Sequence, residues 1–240
     1  MRKEYGLTLT ELMIALFLST LLISLLLQQY VTAKKHYLAL QKQLNQNFEL
    51  NLVSDLIKNS VRQAGFAPCR SVGQLETVDR RDKSVPLLAY IIDDHGLVLN
   101  RMSEHFATVQ YQYSAQQILV EPGAYFALKQ PVLIADCYHA EVQLLKTARS
   151  VKEGMLLTLQ KPLAYSYIDP IYVGQWLEER FYIHKNPHSQ LTLYYQNGHS
   201  EELSELINSL SVEAVYPSLL NITLGYGDDK KLPLTTRIRA

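Results

Sequence analysis

The stretch GLTLTELMIALFLSTLLISLLL at residues 6–27 constrains this chain more than any other. A helix over residues 7–27 would be ~31 Å long at 1.5 Å per residue, which matches the hydrocarbon core of a bilayer. The run holds a single carboxylate, Glu11, near its start. A charge at membrane depth is costly unless something pairs with it, so Glu11 reads as a functional position rather than a packing one. Arg2 and Lys3 precede the run and favour a cytoplasmic N-terminus, which puts the rest of the chain outside. Residues 1–6, MRKEYG, are too short for a secretory leader, and the far end of the run lacks a small-residue cleavage site. Gly6 is the one small residue at a plausible processing point, and a cut there leaves the helix attached.

Beyond residue 27 the chain turns polar but stays spaced for a helix. Leu44, Phe48, Leu52 and Leu56 recur every fourth residue, with Val53, Ile57 and Val61 beside them, so one stripe is apolar. No Gly or Pro interrupts residues 7–64, and Gly65 followed by Pro68 supplies the stop signal. The expectation is one helix of 85–90 Å, roughly 1.5 Å for each residue. The membrane takes its first half, and a globular head covers the second half with its apolar stripe. A coiled coil is the alternative for that second half.

The remaining 180 or so residues suffice for one domain with a real core. With 48% hydrophobic residues, 19% charged residues and no net charge, the chain has neither the composition of a disordered protein nor the basic footprint of a nucleic-acid binder. After Cys69 the periodicity switches to short apolar or alternating runs at 87–92, 97–100, 107–113, 132–135, 142–145, 155–159, 180–184, 191–195 and 221–226, all read as strands. For residues 201–210 a short helix is the alternative to a strand. The sixteen tyrosines suit half-buried sheet faces whose hydroxyls reach water.

Cys69 and Cys137 are the only cysteines and show no metal-ligand spacing. Outside the cytoplasm such a pair oxidises; two buried reduced thiols are the alternative. His184 and His188 have the i, i+4 spacing of a metal pair, but Pro187 and the strand pattern disfavour the helix they need. The acidic turns at 93–96 and 227–229 lack the spaced pattern of a calcium loop and read as solvated turns. No hydrolase, zinc-protease or phosphate-loop motif occurs. Trp176 with Tyr165, Tyr167 and Tyr172, around Pro162, Asp169 and Pro170, reads as a core-covering loop with partly buried rings, or else as an exposed contact patch.

A basic leader ending in Gly6, then Leu7, then Glu11, then the unbroken apolar run to Leu27, resembles the class III signal of type IV pilins and type II secretion pseudopilins. The chain differs from the common pattern in having leucine rather than phenylalanine at position 7, and no proline before Pro68. GFAPC at 65–69, LIADCYHAEV at 133–142, RFYIH at 180–184, LTLYY at 191–195 and ELSELINSLSV at 202–212 run in the order of PilW-type minor pilins. The resemblance implies an α+β, pilin-like fold: one long N-terminal helix packed on a mainly antiparallel β-sheet head. It divides the chain into a leader (1–6), a transmembrane and assembly helix (7–28), an amphipathic continuation (29–64) and a periplasmic head (65–240). It implies cleavage after Gly6 by a prepilin peptidase, N-methylation of Leu7, pairing of Glu11 with an N-terminal amine during assembly, and a disulfide between Cys69 and Cys137. The implied role is that of a minor pilin in the inner membrane and then at the fibre tip. Its partners would be other minor pilins and the major pilin, serving twitching or cell adhesion. It implies no enzyme activity, cofactor, metal or nucleic acid. A type II secretion pseudopilin and a tip adhesin are the rival readings.

Overall fold

The computed structural model describes residues 9–81, 85–94, 96–123, 126–227 and 229–239. The chain divides into two compact units, Met1–Asn51 and Leu52–Ala240. A single helix, α1 (Leu9–Gln63), has no break, as the absence of Gly and Pro requires. In the first unit, residues 9–45 are exposed on every side of the helix.

In the second unit the end of α1 is built into the head. Val53, Ile57, Val61 and Ala64 are buried, whereas Leu52 is 58% exposed. Leu44 and Phe48 are likewise exposed, at 67% and 71%, and Leu56 is half-buried. Within the expected apolar stripe the head therefore covers Val53, Ile57 and Val61, while Leu44, Phe48 and Leu52 stay exposed. Each residue turns the helix by 100°, so the row Val53–Ile57–Val61 lies one such step round from Leu52–Leu56, and the head takes that row. The helix ends where the sequence signals a stop. Gly65 adopts φ +74°, and its N–H donates to the Asn100 carbonyl at 2.7 Å.

Among the described residues thirteen strands follow: β1 (Glu76–Asp79), β2 (Tyr90–Asp93), β3 (Gly96–Ser114), β4 (Gln117–Val120), β5 (Pro131–Ala135), β6 (His139–Val151) and β7 (Gly154–Leu159). Then come β8 (Tyr172–Lys185), β9 (Leu191–Asn197), β10 (His199–Ser204), β11 (Ile207–Tyr216), β12 (Leu219–Tyr226) and β13 (Lys230–Arg237). Residues 201–210 thus form the end of β10, a two-residue bend and the start of β11 rather than a helix. Glu201 and Glu202 on β10 and Asn208 and Ser209 on β11 are exposed, Ser204 is buried, and the apolar positions Ile207 and Leu210 are held by strand pairing instead of a helical face.

Six strands close on themselves. β3 pairs with β4, β4 with β7, β7 with β6, β6 with β5, β5 with β8 and β8 with β3, each antiparallel. The ring encloses a core that includes Val109, Ile118, Val120, Ile134, Leu157 and Val173. Closure removes the exposed edges that a flat sheet of these strands would carry. β3 and β8 continue past the barrel as a paired ribbon, with β2 on the β3 flank and β9 and β10 on the β8 flank. The ladder shifts register between Met102 and Phe106, and opposite this point Gly174 leaves room for Met102, whose Cγ would lie 2.5 Å from a Cβ. β1 joins β6 in parallel, and β11–β12–β13 form a separate three-stranded sheet. The head is accordingly α+β and mainly antiparallel.

Candidate functional site

Two places carry functional chemistry: the apolar start of α1, and the segment that ties the end of α1 to the barrel. Gly6 and Leu7 lie outside the described residues. Glu11 stands in the first turn of α1, where a carboxylate complements the positive end of the helix dipole. After it, every residue to Leu27 is exposed. Two of the hydroxyls in this run bond inside the helix: Ser19 donates to the Ala15 carbonyl at 2.7 Å and Thr20 to the Phe17 carbonyl at 2.8 Å. In lipid each polar group needs such an internal partner. Among the described residues, α1 is the one helix long and apolar enough to cross a membrane.

The second place begins at Gly65. Beyond the Gly65 bond to Asn100, the Phe66 carbonyl accepts from Met102 N–H at 2.9 Å, so the chain leaving the helix is clipped to β3. Cys69 and Cys137 then form a disulfide across 68 positions, with Cα atoms 5.1 Å apart. It fastens this segment to the turn between β5 and β6. The turn itself is organised by Asp136, which is 1% exposed and accepts from the amides of Tyr138 (2.7 Å), His139 (2.6 Å) and Ile168 (2.8 Å). Burial pushes its carboxyl up, but the three amides and the His139 ring outweigh that and hold its pKa below the usual carboxylate value.

Glu141 and Gln143 alternate with Ala140 and Val142 on β6, on the same side as the core residue Leu145. They therefore enter one end of the barrel, which the connection between β7 and β8 crosses. Ala164 N–H donates to Glu141 at 2.5 Å, Lys161 N–H to the Gln143 side-chain Oε1 at 3.1 Å, and the Gln143 side-chain amide also donates to Glu141. Burial raises the Glu141 carboxyl above its ordinary value, with the Ala164 amide and the Arg80 charge opposing. Burial, followed by the negative charges of Glu141 and Asp136, raises Tyr167 so far that it stays a neutral phenol. Outside this network Tyr165 stacks on His139 at 4.8 Å, and Arg70 sits over Tyr138 at 5.8 Å.

The tyrosine loop is thus a covering loop, with Tyr165, Tyr167 and Tyr172 half-buried and Trp176 buried. Sequence reading missed Asp136, Glu141 and Gln143. The signal available was AEVQLL, where two polar residues interrupt an apolar run with the spacing of one strand face. His184 and His188 lie at the end of β8 and in the turn after it, and no group of three potential metal ligands occurs among the described residues. His95 and Asp228 lie outside the described residues; Asp93 holds Arg180 at 2.8 Å.

Residues 1–27 match the family model described as the prokaryotic N-terminal methylation motif. This supports a type IV pilin-like or pseudopilin-like subunit. Such a signal implies processing by a prepilin peptidase and assembly with other pilins, and with α1 it fits a membrane-anchored protein. No curated protein and no solved structure matches the chain.

Proposed function

We propose that this chain is a minor pilin of the PilW type, a structural assembly subunit rather than an enzyme. The observation that carries the reading is the methylation motif at residues 1–27 leading into a helix whose apolar turns are exposed on all sides. A prepilin peptidase cuts after Gly6 and methylates the new amine of Leu7. The helix spans the inner membrane with its N-terminus cytoplasmic and the head periplasmic. It then leaves the bilayer to pack among other pilin helices, where apolar neighbours replace lipid.

Glu11 gives this transfer a physical logic. Its cost in an apolar bundle falls when it pairs with the positively charged N-terminal amine, its own or a neighbour's, and that amine exists only after cleavage. A head of this size, stapled by Cys69–Cys137, suits a low-abundance subunit at or near the fibre tip, acting with other minor pilins and the major pilin. A pseudopilin of a secretion system shares the same motif; the identity of co-purifying subunits separates the two.

Mass spectrometry of the membrane-associated protein tests the reading: a chain beginning at methylated Leu7 is expected, and an intact leader overturns it. Glu11→Ala and Glu11→Gln are expected to abolish recruitment into the fibre while leaving the head folded. Unchanged assembly in both variants removes the charge-pairing role.

A further inference from the structure

Beyond the membrane-length run at 7–27, α1 continues as a stem whose residues 28–45 are exposed on every side. Tyr30, Tyr37, Leu40 and Leu44 in this stem are between 59% and 67% exposed, far more than large apolar side chains bear in water without a partner. Their spacing is that of a seam. Tyr30, Ala33, Tyr37, Leu40 and Leu44 follow one another at steps of three, four, three and four, the a and d pattern of a heptad repeat. With Tyr30 at a, Lys35 and Lys42 fall at f, farthest from the seam, and only Lys34 of the three stem lysines falls beside it, at e.

The register runs back into the apolar half without a shift. Leu9, Leu16 and Ile23 stand at a, and Leu12, Ser19 and Leu26 at d. Ala15 precedes Ser19 by four residues, a small pair that lets two helices approach closely in lipid. One unbroken helix carries the whole seam.

The residues flanking the seam say which helix fits it. Two copies of this chain inserted by the same route run parallel. In a parallel, in-register pair each g residue meets the e residue of the next heptad on the other helix. Gln29 then meets Lys34, His36 meets Gln41, and Gln43 meets Phe48. These contacts oppose no like charges, so the seam is compatible with itself.

We propose that the stem of α1 is a self-association surface, pairing two membrane-anchored copies of this chain as a parallel coiled coil through Tyr30, Ala33, Tyr37, Leu40 and Leu44. The stem supplies fewer than three heptads, ~28 Å from Tyr30 to Phe48, which is short for a coiled coil in solution. Anchoring in one membrane offsets this, because it aligns the two helices beforehand and raises their effective concentration. This pairing rests on the membrane anchorage of α1 and on none of the later steps proposed for a pilin.

Cysteine crosslinking of the full chain, in membranes of a host that makes no other pilin, tests the pairing. On oxidation Leu40→Cys and Leu44→Cys are expected to give a covalent species of twice the chain's mass. Lys35→Cys and Lys42→Cys, at the outer f position, are expected to give about tenfold less of it. Adding Tyr37→Glu to Leu44→Cys is expected to cut the crosslink about tenfold while the head's urea unfolding stays as in the unaltered chain. Equal yields at the seam and f positions, no dimer at any position, or a crosslink indifferent to Tyr37→Glu overturns the proposal. In the native cell, a Leu40→Cys crosslink to a different protein alone also overturns it and makes the stem a surface for another chain. Mass spectrometry of the leader on the same samples keeps the two readings apart, since seam-specific dimers of a chain with an intact leader uphold the pairing while the pilin reading falls.

Discussion

Asp136 and Glu141 lie close together in the chain, both buried, and their carboxyls are shifted in opposite directions. Asp136 is held low, so it stabilises the fold when ionised; that contribution is complete above its unfolded value near 3.9 and is lost as pH falls through its folded value. Glu141 is held high, so its contribution is complete below its unfolded value and is lost as pH rises through the folded one. Asp136→Asn is therefore expected to destabilise the head at pH 7, and the gap from wild type should narrow below about pH 4. Glu141→Gln is expected to gain on wild type as pH rises. Urea unfolding of both variants across this range checks the two signs. Neither residue stands out in the sequence as a site, because a carboxylate in the β5–β6 turn or on β6 gains its role only when the amides of Ile168 and Ala164 arrive from a distant loop.

Among the elements, the end of α1 and the barrel wall are the most exacting. Gly65 combines φ +74° with no room for a side chain: a Cβ there would lie 2.9 Å from the Ala89 Cβ and from the Ser71 Oγ. Gly65→Ala is expected to cost about 1–3 kcal/mol in the head's denaturation free energy, since both the left-handed backbone and the contact oppose it. Leu157 is fully buried in the barrel core, and Leu157→Ala is expected to cost about 2–5 kcal/mol in the same assay, with ordinary far-UV dichroism retained. The helix, its stop and most of the barrel's strands were legible from periodicity. β1, β4, β10, β11 and β13 were not. β1 and β4 have only four residues each, too few for an alternation to register, and the outer strands are largely exposed and polar. The 201–210 run carries helix-forming Glu and Leu, and its pairing with β9 and β12 overrides that local preference.

At the scale of the molecule, the disulfide joins positions 68 residues apart, and in the chain-entropy account closing such a loop stabilises by ~4 kcal/mol. Cys69→Ser with Cys137→Ser is expected to lower the head's unfolding free energy by about 2–5 kcal/mol, and reductant is expected to reproduce the loss in the unaltered chain only. Alkylation and unfolding midpoints with and without reductant measure it.

By itself the sequence determined the anchor, Glu11 and the length of α1. These depend on local composition and on a period of 3.6 residues, both of which are written in consecutive positions. Only the tertiary structure decided which helical row is buried and that β3, β4, β7, β6, β5 and β8 close into a barrel. Strand partners are chosen across tens of residues by packing and register, and nothing in a short alternating run says which other run will lie beside it.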